Sequence, residues 1–124
     1  NLYISDAGLF GGTYDRELPL VECSECGPNG LTIGLYGYED YVIMNQLALG
    51  RVIAFDPSDP ENTIIVIADE YNGKDFNSPN DITVTCDGKS VYFTDPTFGL
   101  QASGDTGFLD SLDRSIQGFQ GVYK

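Results

Sequence analysis

A chain of 124 residues without a histidine has few ways to do chemistry. The Ser-His-Asp triad, the Cys-His dyad and the usual zinc ligand sets are all removed. Carboxylates, amides, hydroxyls and a metal remain. The cysteines are three: Cys23, Cys26 and Cys86. The first two form a C-x-x-C. No second pair and no His can close a zinc site with it, and no strand-to-helix pattern supports a redox motif. A disulfide or inert loop thiols are the expectation, and the odd count leaves the redox compartment open. The more informative place is Pro79-Asn80-Asp81. Asn80 offers an amide oxygen and Asp81 a carboxylate, both hard donors of the kind calcium takes. The same residues are also ordinary turn chemistry, so their surroundings must decide.

The elements around them are short and apolar. Leu2–Ser5, Leu31–Ile33, Tyr41–Met44, Arg51–Phe55, Thr63–Ala68, Ile82–Thr85, Val91–Thr94 and Gly121–Tyr123 are each rich in Val, Ile, Tyr or Thr. Turn signals separate them, among them Gly34 to Asp40, Asp56-Pro57-Ser58-Asp59-Pro60 and Asp87-Gly88. This spacing predicts an all-β chain with strands near 31–35, 41–45, 51–55, 63–68, 82–86 and 91–95. Only 107–116 has the composition for a short helix. No apolar run is long enough for a membrane helix.

The charge excludes partners. Six Lys and Arg stand against nineteen Asp and Glu, a formal charge of −13. Such a chain repels phosphate backbones and anionic membrane surfaces, so neither nucleic acid nor membrane is an expected partner. The excess carboxylates fit a solvated surface or a bound hard cation.

The strands repeat in order. Pro28-Asn29-Gly30-Leu31-Thr32-Ile33 aligns with Pro79-Asn80-Asp81-Ile82-Thr83-Val84, and Tyr41–Asn45 with Val91–Asp95. Gly50-Arg51-Val52-Ile53 aligns with Gly121-Val122-Tyr123-Lys124. A four-stranded unit recurring at such a period is the mark of a β-propeller blade. Strands 31–35, 41–45, 51–55 and 63–68 then form one blade in meander order. Residues 69–81 become a surface crossing from its outermost strand to the innermost strand of the next, which brings Asn80 and Asp81 to the mouth of the central channel.

Read as one line, residues 77–99 spell N-S-P-N-D-x-x-V-x-x-D-G-x-x-x-Y-F-T-D-P-x-x-G. This resembles the senescence marker protein/gluconolactonase/luciferin-regenerating family. Ala68–Lys74, Asn29-Gly30-Leu31-Thr32 and Gly121-Val122-Tyr123 also sit where that family's pattern expects them. The resemblance implies a six-bladed propeller with one divalent cation, usually calcium, in the channel, and a hydrolase of lactones or related esters. It implies that Asn80 ligates the metal or contacts substrate, with Asp81 in support. Both are catalytic candidates, and Asn77 and Asp95 join Asn80 as candidate substrate contacts. Asn45 stands where relatives often carry His or Glu.

The family's metal-binding Glu precedes Asn1 in this alignment and its later Asn and Asp ligands follow Lys124. The chain is therefore expected to be a fragment of about two blades. Residues 1–27 would end one blade, 28–76 make a whole one with its connecting loop, and 77–124 start the next. Its partners would be a small lactone or ester and the rest of the propeller in the same parent chain. Alone, it should expose apolar rows such as Val42, Met44, Ile53, Phe55, Phe93 and Phe98. The loop 100–120 is expected to fold over the channel mouth or to be a surface insertion. Two other classes stay open: a non-catalytic propeller module and an inactive truncated copy.

Overall fold

A computed structural model describes residues 28–100 and 115–124. Among them are nine strands, one 3₁₀ turn at Phe98–Leu100 and no α-helix. Strands β1 (Pro28–Thr32), β2 (Val42–Gln46), β3 (Arg51–Phe55) and β4 (Ile65–Ala68) form a four-stranded antiparallel sheet in the order β1-β2-β3-β4. Next come β5 (Glu70–Tyr71) and β6 (Lys74–Asp75), a small hairpin. A three-stranded antiparallel sheet follows in the order β7 (Ile82–Val84), β8 (Val91–Asp95), β9 (Gly121–Tyr123). The described residues are all-β, and their antiparallel sheets are consistent with a partial propeller. The meander order of the first sheet agrees with the sequence repeat.

Strand ends differ from expectation for physical reasons. β1 starts at Pro28 and stops at Thr32, where 31–35 was expected. A first strand residue needs no ladder N–H, so proline is tolerated there. Beyond Thr32, Gly34 and Gly37 take positive φ of 94° and 83° and turn the chain, leaving Ile33 exposed. The crossing 69–81 was expected to be loop throughout. It carries the β5–β6 hairpin instead, turned by Asn72 and Gly73, both at positive φ. Asn-Gly is the favoured pair for such a two-residue turn.

The core lies between the two larger sheets. Ile43, Val52 and Ala54 of the first meet Phe76, Ile82, Phe93 and Tyr123 of the second side. Phe76 stands edge-on to Phe93 and Tyr123 at centroid distances of 5.0 and 4.8 Å, a preferred aromatic geometry. Met44, Ile53 and Phe55 form a second cluster. The residues expected to meet water are not the ones that do: Met44, Ile53, Phe55 and Phe93 are all buried, while Leu31, Val66 and Val122 are exposed. Strand alternation sends the buried four to one packed face or the other. Val42 is half-buried, and the side chain of Phe98 lies outside the described residues. The proposed helix at 107–116 falls almost wholly outside them too, as do Cys23 and Cys26. Cys86 is exposed and free.

The sheets touch at their inner strands. The Gly30 amide donates to the Asn80 carbonyl at 2.6 Å. A Cβ at position 30 would sit 2.8 Å from both Asn80 O and Ile82 N. Only a residue without Cβ lets β1 approach β7 so closely.

Candidate functional site

Residues 77–82 leave the hairpin and enter β7. They are held by two neighbours on β8, Thr94 and Asp95. The Asn77 amide donates to Asp95 Oδ2 at 2.9 Å and the Ser78 amide to Asp95 Oδ1 at 2.8 Å. Pro79 has no N–H to place. The Asn80 amide donates to the Thr94 carbonyl at 2.9 Å, and the Asp81 amide to Thr94 Oγ1 at 3.0 Å. The Ile82 amide donates to Asp81 Oδ1 at 2.9 Å. Every main-chain N–H of the run thus has an acceptor, which a buried segment requires. The proline occupies the one position that brings no donor.

Two further clamps act on this run. Ser78 is fully buried. Its hydroxyl donates to the Pro96 carbonyl and accepts from the Gly99 amide at 3.0 Å. A Cβ at Gly99 would lie 2.7 Å from Ser78 Cβ and would also strike Leu47, so the 3₁₀ turn needs glycine to close on the run. Asn77, also fully buried, is the second clamp. Its Oδ1 accepts from Ser115 Oγ at 2.9 Å and from the Ile116 and Gln117 amides at 2.8 and 3.4 Å. Its Nδ2 donates to the Asp95 and Phe119 carbonyls at 3.2 and 3.0 Å. Gln117 then ties the same turn to the hairpin, its Nε2 donating to the Tyr71, Lys74 and Asp75 carbonyls.

At the end of this frame stands Asn80. Its main chain is pinned on both sides, to Thr94 and to Gly30. Its side chain is half-buried and makes no hydrogen bond to any described residue. Asp81 is exposed. One of its carboxylate oxygens caps the Ile82 amide, and its carbonyl accepts from the Thr94 amide at 3.0 Å and from Asn45 Nδ2 at 3.1 Å. Asn45 is fully buried, and its Oδ1 accepts no hydrogen bond. So a free amide, an exposed carboxylate and an orphaned amide oxygen are gathered around one turn.

Of the residues singled out in the sequence, Asn80 and Asp81 are brought together at the surface. Asn77 and Asp95 lie beneath them at zero exposure, with each Asp95 carboxylate oxygen already on a main-chain amide. Thr94, Ser78, Gln117 and Gly30 were not singled out as site residues. Thr94 and Ser78 stand inside the long motif, so the signal was there, but nothing in a linear motif says that one segment grips the other.

The chain is 32% identical over 107 residues to a gluconolactonase of Zymomonas mobilis subsp. mobilis. It is thus related to the gluconolactonase family. The aligned part is 86% of this chain and 27% of that gluconolactonase, so the chain spans about a quarter of the length of the curated relative it matches. No family model and no solved structure matches the chain.

Tyr123 lies beside this frame in the aromatic cluster. Burial, then the negative charge of Asp95, then Tyr71 push its phenol up to about 12. Its hydroxyl is buried without a partner.

Proposed function

We propose that the chain is part of a lactone hydrolase of the gluconolactonase type, and that Asn80 is its reaction-facing residue. The supporting observation is the contrast at Asn80: a main chain held on both sides and a side chain left unbonded at a half-open position. A polar group fixed in place without an internal partner is suited to meet a ligand, since it loses little freedom on binding.

A divalent cation, calcium by the family resemblance, is the proposed cofactor. The donors present are hard oxygens, as calcium requires: the Asn80 amide, the Asp81 carboxylate, and the unpartnered Asn45 Oδ1 nearby. They suit one flank of a shell of about six to eight ligands. Among the described residues no three of His, Cys, Asp and Glu come together, so the other ligands would come from the rest of the propeller in the parent chain. Such an ion supplies polarisation of the lactone carbonyl and charge to meet the developing oxyanion. The role of this chain is orientation. Asn80 presents either its oxygen as a neutral ligand or its NH2 to a hydroxyl or carbonyl of the lactone. Asp81 holds the turn through Ile82, and its exposed carboxylate adds negative potential beside it.

Asn80→Ala in the full-length protein tests this with gluconolactone as substrate and calcium titration as a second readout. Turnover should fall by roughly 10²-fold, the scale for losing one preorganised group at developing charge. Loss of calcium affinity marks a direct ligand, and unchanged affinity marks a substrate contact. Asp81→Asn should lose less. Normal rate with normal calcium affinity in Asn80→Ala would make Pro79-Asn80-Asp81 only a turn, whereas a full-length wild type that turns over no lactone would favour a non-catalytic propeller.

A further inference from the structure

We infer that Thr94 and Asp95 form a latch that sets the position of Asn80, so that Asp95 and Asn77 act on the reaction as positioning residues and touch no substrate. The inference rests on the hydrolase reading of Asn80 above.

The argument is one of geometry. Two consecutive residues of β8 accept four main-chain amides from a run of five residues: Asn77 and Ser78 on the Asp95 carboxylate, Asn80 on the Thr94 carbonyl and Asp81 on Thr94 Oγ1. Charge-assisted bonds to a buried carboxylate are the stronger kind. Asp95 is at zero exposure, so its oxygens serve the run and do not face the site. Asn77 extends the latch. Its amide oxygen and nitrogen fix the turn 115–119, which Gln117 ties back to β5 and β6. The run therefore has strand β8 on one side and a clamped turn on the other, and Asn80 is the one residue in it whose polar side chain is left over. Misplacing a reacting or orienting group by about 1 Å can cost on the order of 10²-fold in rate. A latch of this kind sets rate through alignment while leaving ground-state binding nearly alone.

Coupling between sites separates this from a direct role. Asp95→Asn in the full-length protein replaces one acceptor oxygen with a donor that faces an amide. With gluconolactone it should lower kcat about tenfold or more and change KM little. In an Asn80→Ala background the same substitution should cost under about twofold, because the group it aligns is gone. Amide exchange at Asn77 and Ser78 should speed up in Asp95→Asn and stay slow in Asn80→Ala. If Asp95→Asn fails to fold, Thr94→Val, which removes only the Asp81 acceptor and keeps shape, should show the same loss of effect in the Asn80→Ala background. Equal rate factors in both backgrounds would overturn the latch while leaving Asn80 as a site residue. A normal rate in Asn80→Ala alone would remove Asn80 from the reaction site instead. The latch then stands on exchange, and protected Asn77 and Ser78 amides in Asp95→Asn would overturn it.

Discussion

Two proline-containing turns in this chain use the same residue types for different ends. Between β3 and β4, the Asp56 carboxylate accepts from the Ser58 amide and hydroxyl at 2.8 and 2.7 Å. Thr63 Oγ1 accepts from the Asp56 amide and donates to the Asp59 carbonyl, and Asn62 bonds Asp59. Every partner lies within seven residues, and no residue of the turn is buried. At 77–82, apart from the Asp81 carboxylate on the Ile82 amide, the partners lie 13 to 50 residues away, and Asn77, Ser78 and Pro79 are buried. The first turn caps itself. The second is held by tertiary structure, and that is what can aim a side chain. A self-capped turn fixes its own shape but not its place in the fold; a latched one fixes both.

The contrast is broken most directly by removing one side chain from each turn. Asn77→Ala leaves several buried donors and acceptors without partners, each costly. We expect a loss of about 3 kcal/mol or more in the full-length protein, read from denaturant midpoints. Asp56→Ala should shift the midpoint far less, because water replaces what the side chain gave. The Ser58 hydroxyl, then its amide, hold the Asp56 carboxyl below its ordinary range. That contribution is present above the ordinary carboxylate pKa and is lost as pH falls through the lowered one. Equal losses in the two variants would erase the distinction between the turns.

A middle-sized effect is expected at Gly30, where the first sheet touches the latched run. Gly30→Ala drives a Cβ against main-chain atoms of Asn80 and Ile82, neither of which can swing aside as a side chain could. Overpacking of this kind costs about 1–3 kcal/mol. Because the Gly30 amide also holds the Asn80 carbonyl, turnover should fall along with stability. A fully active, fully stable Gly30→Ala protein would show that β1 is free to retreat from β7, and Asn80 would lose one of its two main-chain anchors without consequence.

Much of this was legible in the residues. The ordered repeat carries the meander, since apolar alternation and turn spacing survive in the sequence. Asn80 and Asp81 stand out because Pro79 and the repeat place them at the entry to an inner strand. The strand ends were less legible: Leu31 to Leu35 reads as strand by content, yet glycines at positive φ turn the chain after Thr32. The hairpin at 70–75 has its turn signal in Asn72-Gly73, but strands of two residues each are too short to stand out from the polar stretch around them. The bonds that Asp95 and Asn77 make could not be read from the sequence. A carboxylate that grips amides 17 and 18 residues away has the same letters as one that faces substrate. Only burial and bonding geometry separate the two.

The smallest expected effect sharpens the comparison from the latched side. Tyr123 packs on Phe76, immediately before the run, and its hydroxyl has no partner. At neutral pH, Tyr123→Phe removes a buried group that bonds nothing, so stability should stay level or rise by up to about 1 kcal/mol. At alkaline pH the two proteins should part. An unfolded tyrosine ionises near pH 10, whereas this phenol is pushed up to about 12, first by burial and then by the charge of Asp95. The folded state therefore keeps the proton over a range where the unfolded state gives it up. Stability carried by Tyr123 is whole below about pH 10 and declines as pH rises toward about 12. Tyr123→Phe lacks that proton, so its melting midpoint should fall less than that of the wild type across this window. A neutral-pH midpoint several degrees lower in Tyr123→Phe would mean that the hydroxyl bonds something after all. Parallel curves above pH 10 would mean that Asp95 and the buried ring do not hold the phenol proton, and that the ground beneath Asn77 is wetter than its packing indicates.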